Sequence, residues 1–459
     1  MRCICAFVLA ASIGASWNAQ GQAPPVIRSE TRQVLVPVVV NDRHGHNVPN
    51  LKVSDFEVLE DGKPQRIVAL GTESSGGVPV PVDGSAVPSP VATGGPAAAA
   101  NNAAAPQASY LILVDTLHSS FANFGRVREA LVKFFAKEPP ADAQFAVMAL
   151  GRELHVVQDS TRDMHAALDA VQASRFANLI LDSEASNLAV SAEQFTALMR
   201  QYCSLCFCES GGQVGKIRQE MPECPATQNR VQAFLTVYGE RAYVLNQAFL
   251  ERLREVVRAT ATIPMSRTIV FVSDGFNRFP GRELYAILLG YGPQNRTFEF
   301  NSRDTQPELD RVLKLAVNHD VKFYTLDSRG LYTLSSVPGS GFAASSSSSP
   351  MNAQVDARTS PNLAAGVPEA VTSRVDSAAR ENTDVLTELA RETGGVFFQN
   401  NNDLLKGLRQ AISDGRQYYV LAYNPVNKVM DGTYRKITVV AKDPKWRVKA
   451  KPGYWATPD

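Results

Sequence analysis

Past its first two dozen residues the chain has no apolar run long enough to cross a bilayer, which excludes a membrane helix from the remainder. It also lacks charge of one sign. With 46 Lys and Arg against 45 Asp and Glu the net charge is +1, so no global field draws in nucleic acid or an anionic membrane. Four catalytic signatures are missing: a Gly-x-Ser-x-Gly elbow, a phosphate loop, a His-Glu-x-x-His helix and a dinucleotide glycine fingerprint after a strand. Their absence weighs against the commonest hydrolase, nucleotide and metalloprotease chemistries. Cysteine is scarce, six in 459 residues, and four of the six crowd into one segment.

What is present begins with Met1-Arg2, an apolar stretch over residues 4–13 and the small-residue close Gly21-Gln22-Ala23. That order is the pattern of a secretory signal peptide over residues 1–23, so the mature chain is expected to be secreted or periplasmic, with no transmembrane segment. Cys203, Cys206, Cys208 and Cys224 then remain. In an oxidising compartment an even count favours two disulfides, in one of three pairings that spacing leaves open. A zinc knuckle built on the Cys-x2-Cys pair is the rival. Either would staple an insertion over residues 176–230.

Residues 26–70 read as strands, at 34–40, 55–59 and 65–70, with turns at 41–45 and at Asp61-Gly62. They are too few to close a core alone. Residues 71–108, dominated by Gly, Pro, Ala, Ser and Val, read as a flexible linker. From residue 109 to 414 strands alternate with helices, which specifies a mostly parallel sheet covered on both faces. The apolar run 110–114 precedes a helix carrying Phe124, Val127, Leu131, Phe134 and Phe135 at helical spacing. A hairpin follows, 145–150 and 154–157 about Gly151-Arg152. A helix is expected at 162–171, a long one from about 241 to 260, a strand at 268–272, a helix at 307–318 and a strand at 321–326. Residues 335–376, with five consecutive serines, read as a disordered loop. Helix 384–392 stops at Gly394-Gly395, then come strand 396–399 and helix 403–413. Residues 416–456 return to strands, at 418–423, 434–440 and 446–450. The leading and trailing strands together would form one β-sandwich interrupted by, or flanking, the doubly wound α/β segment.

Two strand ends carry oxygen-bearing side chains: Asp115-Thr-Leu-His-Ser119 after the first core strand, and Ser273-Asp274-Gly275 after the fourth. With the strand order and the hairpin, these make residues 109–414 resemble a von Willebrand factor A domain. The whole mature chain resembles the secreted VWA-related family described from acidobacterial genomes. The resemblance rests further on Asp55-Phe-Glu-Val-Leu-Glu-Asp-Gly-Lys-Pro64, Tyr324-Thr-Leu-Asp-Ser-Arg-Gly-Leu331, Tyr418-Tyr-Val-Leu-Ala-Tyr-Asn-Pro425 and Pro452-Gly-Tyr-Trp455.

The resemblance implies a Rossmann-like fold and a Mg²⁺ or Mn²⁺ site. Asp115 matches the first acid of the family's Asp-x-Ser-x-Ser motif and Ser119 its second serine. Thr161 matches the loop threonine and Asp274 the last acid. Leu117 stands where the first serine belongs. Hard cations take oxygen ligands, and hydroxyls with carboxylates partly behind water leave the ion able to accept a partner's carboxylate. A competing reading makes Asp115 and Ser119 simple turn and helix caps. Asp327 is expected to be a turn acid, His118 an exposed loop residue, and His44 and His46 a solvated turn. Arg435, Lys436, Lys442, Lys445, Arg447, Lys449 and Lys451 are expected to face outward from strands, without nucleic acid. The implied function is non-catalytic adhesion to an unknown protein or cell-envelope ligand. A metal-assisted hydrolase and a structural envelope protein with a vestigial site are the alternatives.

Overall fold

The computed structural model describes residues 33–71, 80–81, 108–137, 143–206, 222–262, 267–291, 298–300, 303–330, 381–399, 403–416 and 418–457. The expected signal peptide and serine-rich loop lie outside these residues. Five strands open the described chain: β1 (Val34–Asn41), β2 (Phe56–Glu60), β3 (Lys63–Gln65), β4 (Ile67–Gly71) and β5 (Val80–Pro81). The expected strand over 65–70 is thus two. The stretch read as a linker contributes β5, which pairs with β4.

The middle of the chain alternates. β6 (Ala108–Asp115) and α1 (Phe121–Lys137) lead to the hairpin β7 (Ala143–Leu150) and β8 (Leu154–Thr161). Then come α2 (Met164–Gln172), α3 (Ser174–Asn178), α4 (Glu184–Cys206) and α5 (Cys224–Ala261). β9 (Arg267–Ser273), α6 (Arg282–Gly290), α7 (Gln306–Asn318), β10 (Lys322–Asp327), α8 (Asp384–Thr393), β11 (Phe397–Phe398) and α9 (Leu404–Arg416) complete it. α5 begins well before the expected 241, and α6 has no counterpart among the expected elements. α8 ends as its sequence requires, on Gly394 at φ 79°.

These strands form one six-stranded sheet in the order β11-β10-β9-β6-β7-β8, parallel except for β8. Every residue of β6 is buried, because alternate side chains enter different cores. Tyr110, Ile112 and Val114 pack with α1, α2 and α9, whereas Leu111 and Leu113 pack with α5, α7 and α8. Helices therefore cover both faces, and a continuous apolar strand such as β6 suits that position.

A satellite core joins α4, α5 and α6 through Phe195, Met199, Leu235 and Ile287. The Cys206–Cys224 disulfide ties the end of α4 to the start of α5 across 18 residues. Loops of that size yield about 3 kcal/mol by restricting the unfolded chain. Cys203 is disulfide-bonded as well, and Cys208 lies outside the described residues.

The chain closes with β12 (Tyr419–Tyr423), β13 (Tyr434–Ala441), β14 (Arg447–Ala450) and β15 (Gly453–Trp455). Strands from the two chain ends interleave in two antiparallel sheets, β14-β1-β12-β4-β5 and β15-β13-β2-β3. Val36, Val38, Phe56, Val58, Leu421, Tyr423, Ile437 and Tyr454 share one core between them. Neither end of the chain could bury its apolar face without the other. Inside lies Glu60, which accepts from Tyr423 Oη at 2.6 Å and Tyr454 Oη at 3.1 Å and sits 3.5 Å from Arg435 Nη1. Arg435 is thus buried, contrary to its expected outward position. Lys451 pairs with Asp320, and Lys449 reaches Asp414 at 2.7 Å. Strand-period basic residues hide such inward ion pairs, since alternation alone does not say which face meets an acid.

Candidate functional site

The strand order reverses between β6 and β9, and open α/β sheets bind ligands outside the carboxyl ends of strands at such a point. Asp115 ends β6, and Ser273 and Asp274 end and follow β9 on the adjacent strand. The two acids therefore belong to one end of the sheet. Both are buried.

Asp115 is fully enclosed, and four donors take its oxygens. Oδ1 accepts from the backbone N–H groups of Leu117 and His118, each at 2.9 Å. Oδ2 accepts from Ser273 Oγ at 2.6 Å and lies 3.0 Å from His118 Nδ1. The Ser273 hydroxyl also accepts from Gly275 N–H at 2.9 Å, so it donates to the carboxylate. Gly275 holds φ 79°, and a Cβ there would strike the carbonyl of Asn382, so the turn that aims these groups needs glycine.

His118 is not the exposed loop residue its surroundings in sequence suggest. Its side chain is 11% exposed, stacked on Phe276 at 4.7 Å and met edge-on by Phe249 at 4.6 Å. Nε2 lies 2.8 Å from Asn246 Oδ1 on α5. Burial pushes the imidazole pKa down, but the charge and hydrogen bond of Asp115, the Asn246 bond and the charge of Glu184 outweigh it and raise the value.

Asp274 is likewise occupied. Oδ2 accepts from Ser120 N–H at 2.9 Å and Asn123 Nδ2 at 2.7 Å, and Oδ1 accepts a short bond from Ser328 Oγ. Burial raises its pKa, against the pull of those donors and of Arg329. Arg126 Nη2 donates to Asn123 Oδ1 at 2.7 Å and to the Ser328 carbonyl at 2.6 Å, locking the loop after β10 to α1. Asp327 is the expected turn acid: it accepts from Arg329 N–H at 3.0 Å and holds that guanidinium through both oxygens.

Ser119 is buried, and among the described residues its hydroxyl has no hydrogen-bond partner. Its carbonyl accepts from Ser183 Oγ at 2.6 Å, and the Leu117 carbonyl accepts from Glu184 N–H at 2.6 Å. The loop before α4 therefore backs the Asp115 loop. Thr161 does not join them. β8 runs antiparallel to β7, and the register sets Thr161 opposite Phe145 and Tyr110, whereas Asp115 is level with Leu150. Five residues of strand put about 16 Å between the two levels. Thr161 Oγ1 instead accepts from Asp163 N–H at 2.9 Å, a local turn. The Gly151-Arg152 hairpin already implied this reversal. Ser183 and Asn246 had no motif to mark them, because they reach the site from the loop before α4 and from α5.

A hard divalent cation needs several free oxygen lone pairs in near-octahedral disposition. Asp115 gives all four of its lone-pair positions to protein donors and Asp274 three of its four. Leu117 packs into the apolar core with Phe249 and Phe276, Thr161 is at the far end of the sheet, and only the Ser119 hydroxyl is wholly uncommitted. The residues do not fit such an ion. No group of three or more His, Cys, Asp or Glu among the described residues is disposed to hold a metal. Neither a protein-family model nor a curated protein matches the sequence.

Proposed function

We propose that the chain is a non-catalytic, extracytoplasmic binding protein of the von Willebrand factor A kind, which engages a protein or cell-envelope ligand through the carboxyl end of its six-stranded sheet. One observation carries this reading. Beside the buried polar cluster two large apolar side chains stand in solvent: Phe121, which opens α1 directly after Ser119-Ser120, is 67% exposed, and Leu181, two residues before Ser183, is 69% exposed. Large apolar side chains left in water beside a rigid polar framework favour a partner that covers them. The disulfide fits an oxidising compartment, and no helix among the described residues is long and apolar enough to cross a membrane.

The chemistry of the cluster supports binding over catalysis. A general base at His118 would need a substrate or nucleophile proton facing Nε2. That nitrogen instead faces the Asn246 amide oxygen, itself held by Asn246 Nδ2 donating to the Asn277 carbonyl at 3.1 Å.

The test is capture from envelope extracts by the wild-type chain, Phe121→Arg and Leu181→Arg, with a hydrolase screen in parallel. Species retained by the wild type and lost by both variants, all three folded alike, support the reading. Equal capture by all three, or turnover of a substrate by the wild type, sinks it.

A further inference from the structure

At the carboxyl end of the sheet Leu117 stands where the resembled motif has a serine, and the next residue, His118, is a buried imidazole. The two residues act together. Leu117 turns into the apolar core, and the ring beside it sets Nδ1 3.0 Å from Asp115 Oδ2. We infer that His118, carrying protons on both ring nitrogens, is the counter-ion of Asp115, so that this face works without a divalent cation.

Hydrogen-bond polarity requires both protons. Asp115 Oδ2, 3.0 Å from Nδ1, can only accept. Asn246 presents its oxygen to Nε2 at 2.8 Å, because its amide nitrogen is committed to the Asn277 carbonyl. A neutral ring would set a bare nitrogen lone pair against one of these oxygens. The surrounding charges agree. Glu184 and Glu283 both interact with the ring, and Arg152 and Arg241 are drawn to Glu184 Oε2 at 3.8 and 3.2 Å without reaching His118. A charged ring enclosed by aromatic neighbours repels a second cation brought beside it. Mg²⁺ would have to displace both Asp115–His118 contacts and remain beside the imidazolium it displaced.

This inference concerns the state of the site and holds whether or not the face binds a partner. Its test uses the full chain with ¹⁵N-labelled histidine. Six histidines keep the spectrum simple, and His118→Gln identifies the resonance. At neutral pH, in chelator, both His118 nitrogens are expected at protonated shifts, each with a slowly exchanging proton. Mn²⁺ in large excess is expected to leave them unbroadened. One unprotonated nitrogen would overturn the inference. So would saturable Mn²⁺ broadening of His118 that Asp115→Asn abolishes. Neither result touches the capture experiment with Phe121→Arg, so failure of this inference is separable from failure of the proposed function.

Discussion

The two ends of the six-stranded sheet both bury charge, and they find partners for it in different places. At the amino end Lys322, the first residue of β10, lies over the ring of Tyr418 at 5.5 Å. Around it Asp320 takes Lys451 and Asp414 takes Lys449, so the cations that answer these acids come from β14 and the residue after it. The rest of the molecule covers that end. At the carboxyl end Asp115 and Asp274 find every partner in the sheet's own loops and helices, and Phe121 and Leu181 are left to solvent. Closure by another part of the chain marks an end as structural. Self-closure with apolar residues outside is the arrangement the proposed binding face requires.

The largest effect is expected from the covered side. Glu60→Ala would take from Arg435, 1% exposed, its buried carboxylate, leaving it the carbonyls of Asn427 and Val429, the Tyr454 hydroxyl and the more distant charge of Asp431. Breaking a buried pair of this kind costs about 3–5 kcal/mol. Urea unfolding should show that loss while ligand capture by the still-folded fraction is unchanged. A loss below about 1 kcal/mol would mean the pair is solvated, and the contrast between the two regions would weaken.

Next come opposite responses to pH. Burial lowers the Lys322 pKa from 10.5 to about 8, against the pull of Asp320 and Asp414. The unfolded chain then binds a proton that the folded chain has released, so stability should rise between pH 8 and 10.5 by up to about 3 kcal/mol. Lys322→Met should abolish the rise. His118 works the other way. Its folded pKa lies above 6.5, so its contribution is complete below pH 6.5 and is lost as pH climbs through the folded value. Denaturant midpoints across this range should fall in the wild type and flatten in His118→Gln. Slopes of the same sign in both ranges would contradict the assignment of these groups to the two ends.

Much of the architecture was legible from the chain itself, because burial on both faces demands unbroken apolar strands and burial on one face demands periodicity. The run at 110–114, the helix carrying Phe124 to Phe135, and the need of each chain end for the other all follow from that demand. Of the site, Asp115, Ser119 and Asp274 could be placed, since acids at tips of adjacent parallel strands must share an end. Thr161 falls at the opposite end because the hairpin reverses β8. The burial of His118 is not legible locally, because its environment comes from Asn246 and Phe249 on α5, over a hundred residues away, and no local pattern encodes such a contact. Arg435 and Lys451 illustrate the same limit: a basic residue's orientation depends on where a distant acid lies.

The smallest expected change is the most informative for the open end. Phe121 touches water over two thirds of its surface, so replacing it with Arg removes little buried area and should alter the unfolding free energy by less than about 0.5 kcal/mol. Two residues on, Asn123 is buried and donates to Asp274, and Asn123→Ala should cost about 1–3 kcal/mol by leaving a buried acceptor short of a donor. Urea unfolding of the two variants side by side locates the boundary between framework and contact surface. If Phe121→Arg proved as destabilising as Asn123→Ala, the ring would be packing against the fold, and the apolar rim would lose its claim to a partner.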